Sequence, residues 1–448
     1  MISGDDVLSG SDESTNFPKG PDTLTAVDLR LDDEIADAGA PAKLAFSVAP
    51  EEANLGRVLT EASKINIVIN QFEKKGEGIN AYIVYRIVTT TENVLGYANR
   101  EYEVWRRFSD FLGLHEKLME KYFQKGILVA AAPEKSLAAF TKTKMNSGPD
   151  EQTNKEFAER RARALQRFCM RIARHPKLVS DCDFRDFLTL AAPLPKANST
   201  AALSGAGVKR MFKSVGDVFS KMAYHMDEND RWFESAQTQM DDLEQMLNRL
   251  LRAVETIASY RRELAVSSES FSKALSMLAS CEENTALARA LSHLTEAYEN
   301  VAQQYVIQAD RDTALLTEVI HEQLQIIVTL KELFFERVKV WQNWQAAQQN
   351  LSKKKELKAR YELAGRADRA NQAKEEVTSA ERQVDEVERE FAEVSKVIRG
   401  EYERHLGERR VDLHNMFVQY VEGLLDTQKK VLQHWERFAP ETRAIVIA

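Results

Sequence analysis

Val104-Trp105-Arg106-Arg107-Phe108-Ser109-Asp110-Phe111 is the stretch around which the first half of this sequence is organised. Before it, residues 97–108 alternate apolar and polar side chains, which predicts a β-strand, and after it residues 111–122 carry apolar side chains at helical spacing. Two more strands are predicted upstream, one beginning at Lys64 and one over residues 82–88. A later helix is predicted to end at His175-Pro176. The pattern predicts an α+β domain over residues 62–191, with a small three-stranded antiparallel sheet packed on helices.

The second half of the sequence is nearly free of helix breakers. No proline occurs between Pro195 and Pro440, and only seven glycines do. From Val377 to Ile398, apolar residues alternate spacings of three and four, the heptad pattern of a helix that packs along a partner helix. With breaks near residues 281–284 and 364–366, three long helices result, the last two of about 70 residues or roughly 100 Å. We therefore predict an elongated all-α three-helix domain over residues 226–448 that completes its core by dimerising.

Charge is unevenly distributed along the 448 residues. The first 60 hold twelve acidic and four basic residues with few large apolar side chains, which predicts an acidic disordered tail over residues 1–61. Elsewhere 57 acidic and 57 basic residues balance, which argues against general nucleic-acid binding. No apolar run approaches the roughly 20 residues that a membrane-spanning helix needs. We expect any membrane contact to be peripheral.

Motifs for catalysis or cofactor binding are sparse. The cysteines Cys169, Cys182 and Cys281 lack CxxC spacing and clustered histidines, so neither a zinc site nor a disulfide framework is indicated. The loose GxGxxA motif over residues 76–81 precedes a predicted strand rather than a helix, which favours a hairpin turn over a nucleotide site. We found no P-loop, GxSxG or cysteine-phosphatase motif. We expect no metal, no cofactor, no catalytic residues and no enzymatic activity.

Arg106, Arg107 and Phe108 are the residues that suggest a ligand. Two arginines at a strand end offer a charge fork for phosphate, and an aromatic ring offers a flat face for a sugar-like ring, a combination that suits an inositol phosphate. The alternative is a solvated pair of surface arginines. Because neighbouring strand residues face opposite sides of a sheet, we expect the two arginines to have different roles.

The string that contains them closely resembles the RR(Y/F)SDF signature of PX domains, and the surrounding order of strands and helices agrees over about 130 residues. The resemblance implies that Arg107 binds the 3-phosphate of a phosphatidylinositol 3-phosphate-type lipid, that Phe108 stacks on the inositol ring and that Arg106 is structural. It also implies that Lys135 meets the 1-phosphate and that Arg161 contacts the ring hydroxyls.

The loop before Lys135 departs from that family. Ala130, Ala131 and Ala132 stand where prolines are usual. Two apolar segments, residues 127–129 and residues 137–140, flank the same loop, where they suit either insertion into the bilayer interface or packing in the core.

A segment between the two predicted domains is amphipathic. After a linker over residues 192–204, residues 205–225 place large apolar side chains on one helical face and basic ones mostly on or beside the other, the composition of a helix that lies in a membrane surface. The alternative is a linker helix packed on a neighbouring domain. The predicted membrane-contacting residues are Val208, Lys209, Arg210, Met211, Phe212, Lys213, Val215 and Phe219.

A basic cluster precedes the second predicted helix break. It lies at the tip of the predicted hairpin, where anionic lipid is within reach, although charge runs often only solvate a helix face. The predicted basic tip consists of Lys353, Lys354, Lys355, Lys358 and Arg360.

The helical half, from residues 229–233 to 341–344 and the lysines that follow, resembles the BAR domain of PX-BAR sorting nexins, and the chain after residue 60 resembles the retromer-associated members of that family. The resemblance implies a peripheral membrane protein on the cytosolic face of early endosomes and their tubules. It implies binding to phosphoinositide-containing membranes, sensing or induction of curvature, and endosomal cargo sorting in retrograde endosome-to-Golgi transport. Implied partners are retromer and a second BAR chain, in a homodimer or heterodimer. The competing hypothesis is a cytosolic coiled-coil scaffold whose PX domain mainly binds protein.

Overall fold

The computed structural model describes residues 64–76, 82–132, 151–192 and 230–445, the side chains of residues 151–154 excepted. The predicted acidic tail, Lys135, residues 137–140 and the whole amphipathic segment 205–225 with its eight membrane-contacting residues lie outside the described residues. Predictions that concern them stay predictions.

The first region is a three-stranded antiparallel sheet with helices packed on it. Strands β1 (Lys64–Lys75), β2 (Tyr82–Glu92) and β3 (Glu101–Arg107) pair in the order 1-2-3, and β1 carries a register shift between Val68 and Gln71. Helix α1 (Phe108–Tyr122) follows β3 directly, and α2 (Glu151–Arg174) and α3 (Cys182–Thr189) complete the region. The predicted sheet and the predicted end of α2 before His175-Pro176 are confirmed.

The third strand begins later than the alternation of residues 97–108 predicted. Asn93 and Gly96 adopt positive φ angles of 52° and 87° in the connection before it, so the chain is still turning there. The Tyr97 hydroxyl donates a hydrogen bond to the Val179 carbonyl oxygen at 3.0 Å. Tyr97 therefore ties this connection to the segment after α2 instead of joining the sheet.

The helical region has its breaks where the sequence predicted them. Helix α4 (Arg231–Cys281) is followed by α5 (Thr285–Asp312), whose first turn is capped by the Asn284 side chain, which accepts hydrogen bonds from two backbone N–H groups. A five-residue π-helical segment, Thr313–Thr317, joins α5 to α6 (Glu318–Leu363) without a turn. After Gly365, with φ of 65°, α7 (Ala367–Arg443) runs for 77 residues, or about 115 Å at 1.5 Å per residue.

The predicted heptad seam of α7 packs against α6 of the same chain. Val377, Val394 and Ile398 are buried, and the rings of Trp344 and Phe391 stack with centroids 5.8 Å apart. The partner helix that the seam requires is therefore intramolecular.

Two other apolar stripes are exposed in the single chain. Both repeat with heptad spacing, and both include side chains more than half exposed, such as Met246 and Val411. The α4 stripe comprises Met246, Leu250, Ile257, Tyr260, Leu264 and Phe271, and the α7 stripe comprises Val411, Val418, Val421, Leu425 and Leu432.

Candidate functional site

The two arginines at the end of β3 have opposite environments, as strand alternation predicted. The Arg106 side chain points inward and only 2% of the residue is exposed. Its Nε donates a hydrogen bond to the Phe187 carbonyl oxygen at 3.0 Å, and its Nη2 donates to the Leu190 carbonyl oxygen. Burial lowers the pKa of its guanidinium, which nevertheless stays charged at neutral pH. Arg106 thus satisfies the carbonyl end of α3, and its predicted structural role is confirmed.

Arg107 is exposed and available to a ligand. Its guanidinium carbon lies 4.9 Å from the centroid of the Tyr82 ring, at the start of β2. Its backbone N–H donates to Asp110 Oδ2 at 2.8 Å, which caps α1 and fixes the backbone at the strand-to-helix junction. Among the described residues, no carboxylate forms an ion pair with this guanidinium. The arrangement leaves a positioned cation beside an aromatic ring.

Arg161 lies against Phe108, as expected if both residues belong to one binding site. Its guanidinium carbon is 4.5 Å from the centroid of the Phe108 ring and 4.2 Å from that of Phe157. Burial lowers the pKa of Arg161, and the adjacent Tyr85 phenol partly offsets this effect. The structure therefore brings Arg107, Phe108 and Arg161 together, although their roles in binding stay predictions.

Sequence reasoning missed the aromatic residues that hold these arginines. Tyr82 and Phe157 stack on Arg107 and Arg161, yet they lie 25 residues before Arg107 and four residues before Arg161, outside the quoted motif. A search for aromatic residues at the start of the pairing strand and one turn earlier on the helix would have found both.

The loop before Lys135 leads into this site. Ile127 and Val129 are buried in the core of the first region, and Leu128 in that of the helical region, so core packing is the correct alternative for residues 127–129. Ala130 and Ala131 line a cleft of about 390 Å³ that Phe157 and Arg161 also border.

The predicted basic tip lies in the last turns of α6, before the turn to α7. Lys355 Nζ is 2.9 Å from a carboxylate oxygen of Glu381, and Lys358 Nζ is 3.6 Å from one of Glu362. Lys353 and Arg360 are exposed and Lys354 is half-buried. Lys353, Lys354 and Arg360 form no ion pair with any carboxylate among the described residues, so three of the five positive charges at the tip are uncompensated there. Within the described ranges, no helix has the length and apolar character to cross a bilayer.

Comparisons with known proteins agree with both regions. Residues 95–191 match the family model described as "PX domain", and residues 208–441 match the one described as "Vps5 C terminal like". The chain is 42% identical to sorting nexin-1 of Rattus norvegicus over 381 residues, which cover 85% of this chain and 72% of the relative. It is 38% identical to sorting nexin-2 of Bos taurus over 439 residues, 98% of this chain and 82% of the relative.

A solved structure shares the overall architecture. The cryo-EM structure of the SNX-BAR Mvp1 tetramer superposes with a TM-score of 0.54 at 17% identity, over 83% of this chain and 99% of that chain. At that identity the likeness shows the fold alone, and it agrees with a PX-type sheet followed by a BAR-type helical region. The chain belongs to the sorting nexin family, as a membrane-binding protein that joins a PX domain to a BAR-type helical region.

Proposed function

We propose that this protein binds a 3-phosphorylated phosphoinositide with Arg107, Phe108, Lys135 and Arg161. The observation that carries the proposal is the exposed Arg107 guanidinium, held over the Tyr82 ring and one residue from the Phe108–Arg161 contact. A planar cation with free donors suits a phosphate oxygen pair, and hydrogen bonds to a charged phosphate are among the strong ones. Because β3, α1 and α2 hold Arg107, Phe108 and Arg161, these three groups need little ordering when lipid binds.

The helical region supports dimerisation. Exposed apolar stripes on α4 and α7 with heptad spacing are costly in water, and a second BAR-type helical region, of the same chain or of another sorting nexin, would cover them. A dimer would carry two lipid sites and two basic tips, whose contributions add through effective concentration. Such a rigid charged body would sense or induce membrane curvature.

The similarity to sorting nexin-1 and sorting nexin-2 supports a place in endosomal cargo sorting. On that basis we assign the protein to the cytosolic face of early endosomes and their tubules, in retrograde transport with retromer as partner. The amphipathic segment 205–225 would add membrane contact. We propose a non-enzymatic, lipid-binding role.

Flotation with liposomes, with and without phosphatidylinositol 3-phosphate, tests the lipid site, because a headgroup site makes membrane binding depend on that lipid. We expect Arg107→Ala to weaken lipid-dependent binding by roughly 10- to 100-fold, because it removes charge-assisted hydrogen bonds worth about 1.5–3 kcal/mol. Arg100→Ala is the matched control, since Arg100 is also exposed and its guanidinium carbon lies 4.5 Å from the Tyr102 ring centroid.

Equal losses in the two variants would mean general electrostatic attraction rather than a headgroup site. Wild-type binding that is indifferent to the phosphoinositide would favour the cytosolic scaffold in which the PX domain binds protein.

A further inference from the structure

Helix α2 carries more arginines than the lipid site uses. Arg161 belongs to that site, whereas Arg163, Arg167, Arg171 and Arg174 follow at spacings of four, four and three residues, which places them along one face. This arginine ladder, Arg163 to Arg174, contacts the helical region instead of the sheet.

Each arginine of the arginine ladder forms an ion pair with a carboxylate on α6 or α7. Arg163 binds both oxygens of Glu318, at 2.6 and 3.2 Å, and Arg167 also reaches Glu318 at 3.1 Å. The Glu318 side chain is only 3% exposed, so this contact is shielded from solvent ions.

Arg167, Arg171 and Arg174 make the same kind of contact with carboxylates on α6 and α7. Glu322, one turn after Glu318 on α6, lies 2.9 Å from Arg167 and 2.7 Å from Arg171. Asp412 on α7 lies 3.0 Å from both Arg171 and Arg174. The side chains of Arg171 and Asp412 are each 12% exposed. Removing one partner from such a buried network would leave an uncompensated charge.

A second contact joins the two regions beside the arginine ladder. Glu401 on α7 accepts a hydrogen bond from the Leu128 backbone N–H at 3.1 Å, and its other oxygen lies 3.0 Å from His175 Nε2. Because His175 Nδ1 accepts from the N–H groups of Lys177 and Leu178, the proton is on Nε2, which donates to Glu401. A Cβ atom added at Gly126 would lie 3.0 Å from a side-chain carbon of Ile398 on α7. The backbone at residue 126 therefore packs closely against that helix.

We propose that Arg163, Arg167, Arg171 and Arg174 are positioning residues that fix the direction of the phosphoinositide site on the BAR-type region. The same helix holds Arg161 at the lipid site and binds Glu318, Glu322 and Asp412, so the site cannot rotate without breaking the ladder. Avidity depends on whether all membrane contacts can be made at once. The arginine ladder therefore controls membrane binding without touching lipid, an inference that rests on the proposed phosphoinositide function.

Charge reversal and charge exchange in the full-length protein test this inference. The variants are Arg163→Glu, Glu318→Arg and the double exchange. Arg185→Ala is the control, because the Arg185 side chain is 42% exposed and its ion pair is with its neighbour Asp186. Arg163→Ala with Arg174→Ala is a milder combination, since both side chains are more than 40% exposed. Each is titrated with a soluble short-chain phosphatidylinositol 3-phosphate and with liposomes that contain the full-length lipid.

We expect the single reversals and the milder combination to bind the short-chain lipid within about twofold of wild type, yet to bind liposomes at least about tenfold more weakly. The double exchange should recover part of the liposome binding, because the pair at positions 163 and 318 is restored while position 318 still faces Arg167. Arg185→Ala should lose none. Unchanged liposome binding in the milder combination would overturn the inference, as would an equal loss for both lipids. If wild type fails to bind even the short-chain lipid, the proposed lipid site is wrong, and the inference falls with it.

Discussion

His405 is a buried base kept neutral by its surroundings. Only 2% of the residue is exposed, and burial, together with the charges of Arg171, Arg404 and Arg409, lowers its pKa to about 3, against a weaker opposing effect of Asp412. In the unfolded chain the imidazole has an ordinary pKa near 6.5. As the pH falls below about 6.5, the unfolded state therefore takes up a proton that the folded state does not, and stability decreases until the pH nears 3.

This linkage predicts a measurable pH dependence of stability. Between pH 7.5 and pH 5.0, His405 should lower the free energy of unfolding by about 2 kcal/mol. His405→Gln should be less stable than wild type at pH 7.5 but should lose about 2 kcal/mol less on acidification. Chemical denaturation, followed by circular dichroism at both pH values, measures the free energy of unfolding of each protein. The effects of the other titrating groups cancel when the variant is compared with wild type. Parallel pH profiles for the two proteins would contradict the assignment.

The side of the sheet to which a side chain points could be predicted from the sequence where strand alternation sets it. The alternation of β3 was enough to separate the inward Arg106 from the outward Arg107. It could not predict that Arg106 satisfies carbonyl groups at the end of α3, about 80 residues further on, because those contacts have no local signature. Tyr82 was missed for the same reason, since the pairing of β2 with β3 brings it to Arg107.

Helices and their breaks could be predicted because proline, glycine and capping residues act locally. The π-helical segment Thr313–Thr317 could not, since it contains no proline or glycine that would mark it in the sequence. Heptad spacing also did not distinguish an intramolecular seam from an exposed one. Val377 to Ile398 packs on α6, whereas Met246, Leu250 and Ile257, which have the same character, are exposed.

The exposed stripe of α7 predicts how the helices associate. Val421→Asp should convert the dimer to a monomer without changing helix content, because it places a charge in the apolar face that a second chain would cover. Size-exclusion chromatography with light scattering measures the mass, and circular dichroism the helix content. Gln419→Asp is the matched control, since it adds the same charge two residues away at an exposed polar position. A Val421→Asp protein that stays dimeric would mean that the α7 stripe lies outside the dimer interface.

The two regions of the chain are joined by contacts that no sequence window contains. Leu128 and Glu401 are 273 residues apart, and Arg163 and Glu318 are 155 apart. None of these residues alone indicates its distant partner, so composition and periodicity predicted two domains in series without the contacts that join them. In the structure one helix, α2, carries Arg161 of the proposed lipid site and also the arginines that bind the helical region.

At the scale of the whole molecule, the basic tips and the lipid sites have separable contributions. Replacing Lys353, Lys354 and Lys355 by alanine should leave short-chain lipid binding unchanged, because Arg107 and Arg161 belong to the PX domain and the tip to the end of the α6–α7 hairpin. Each lysine near an anionic surface contributes about 1 kcal/mol, less for the Glu381-paired Lys355, and a dimer doubles the sum.

We therefore expect the triple alanine variant to bind anionic liposomes at least about tenfold more weakly at low salt and to form few membrane tubules in electron micrographs. The triple arginine variant should retain both properties, because it keeps the charge while changing the side chain. The difference between wild type and the alanine variant should shrink at high salt, where exposed charges are screened. Normal tubulation by the alanine variant would place the curvature activity elsewhere, with the segment 205–225 as the next region to test.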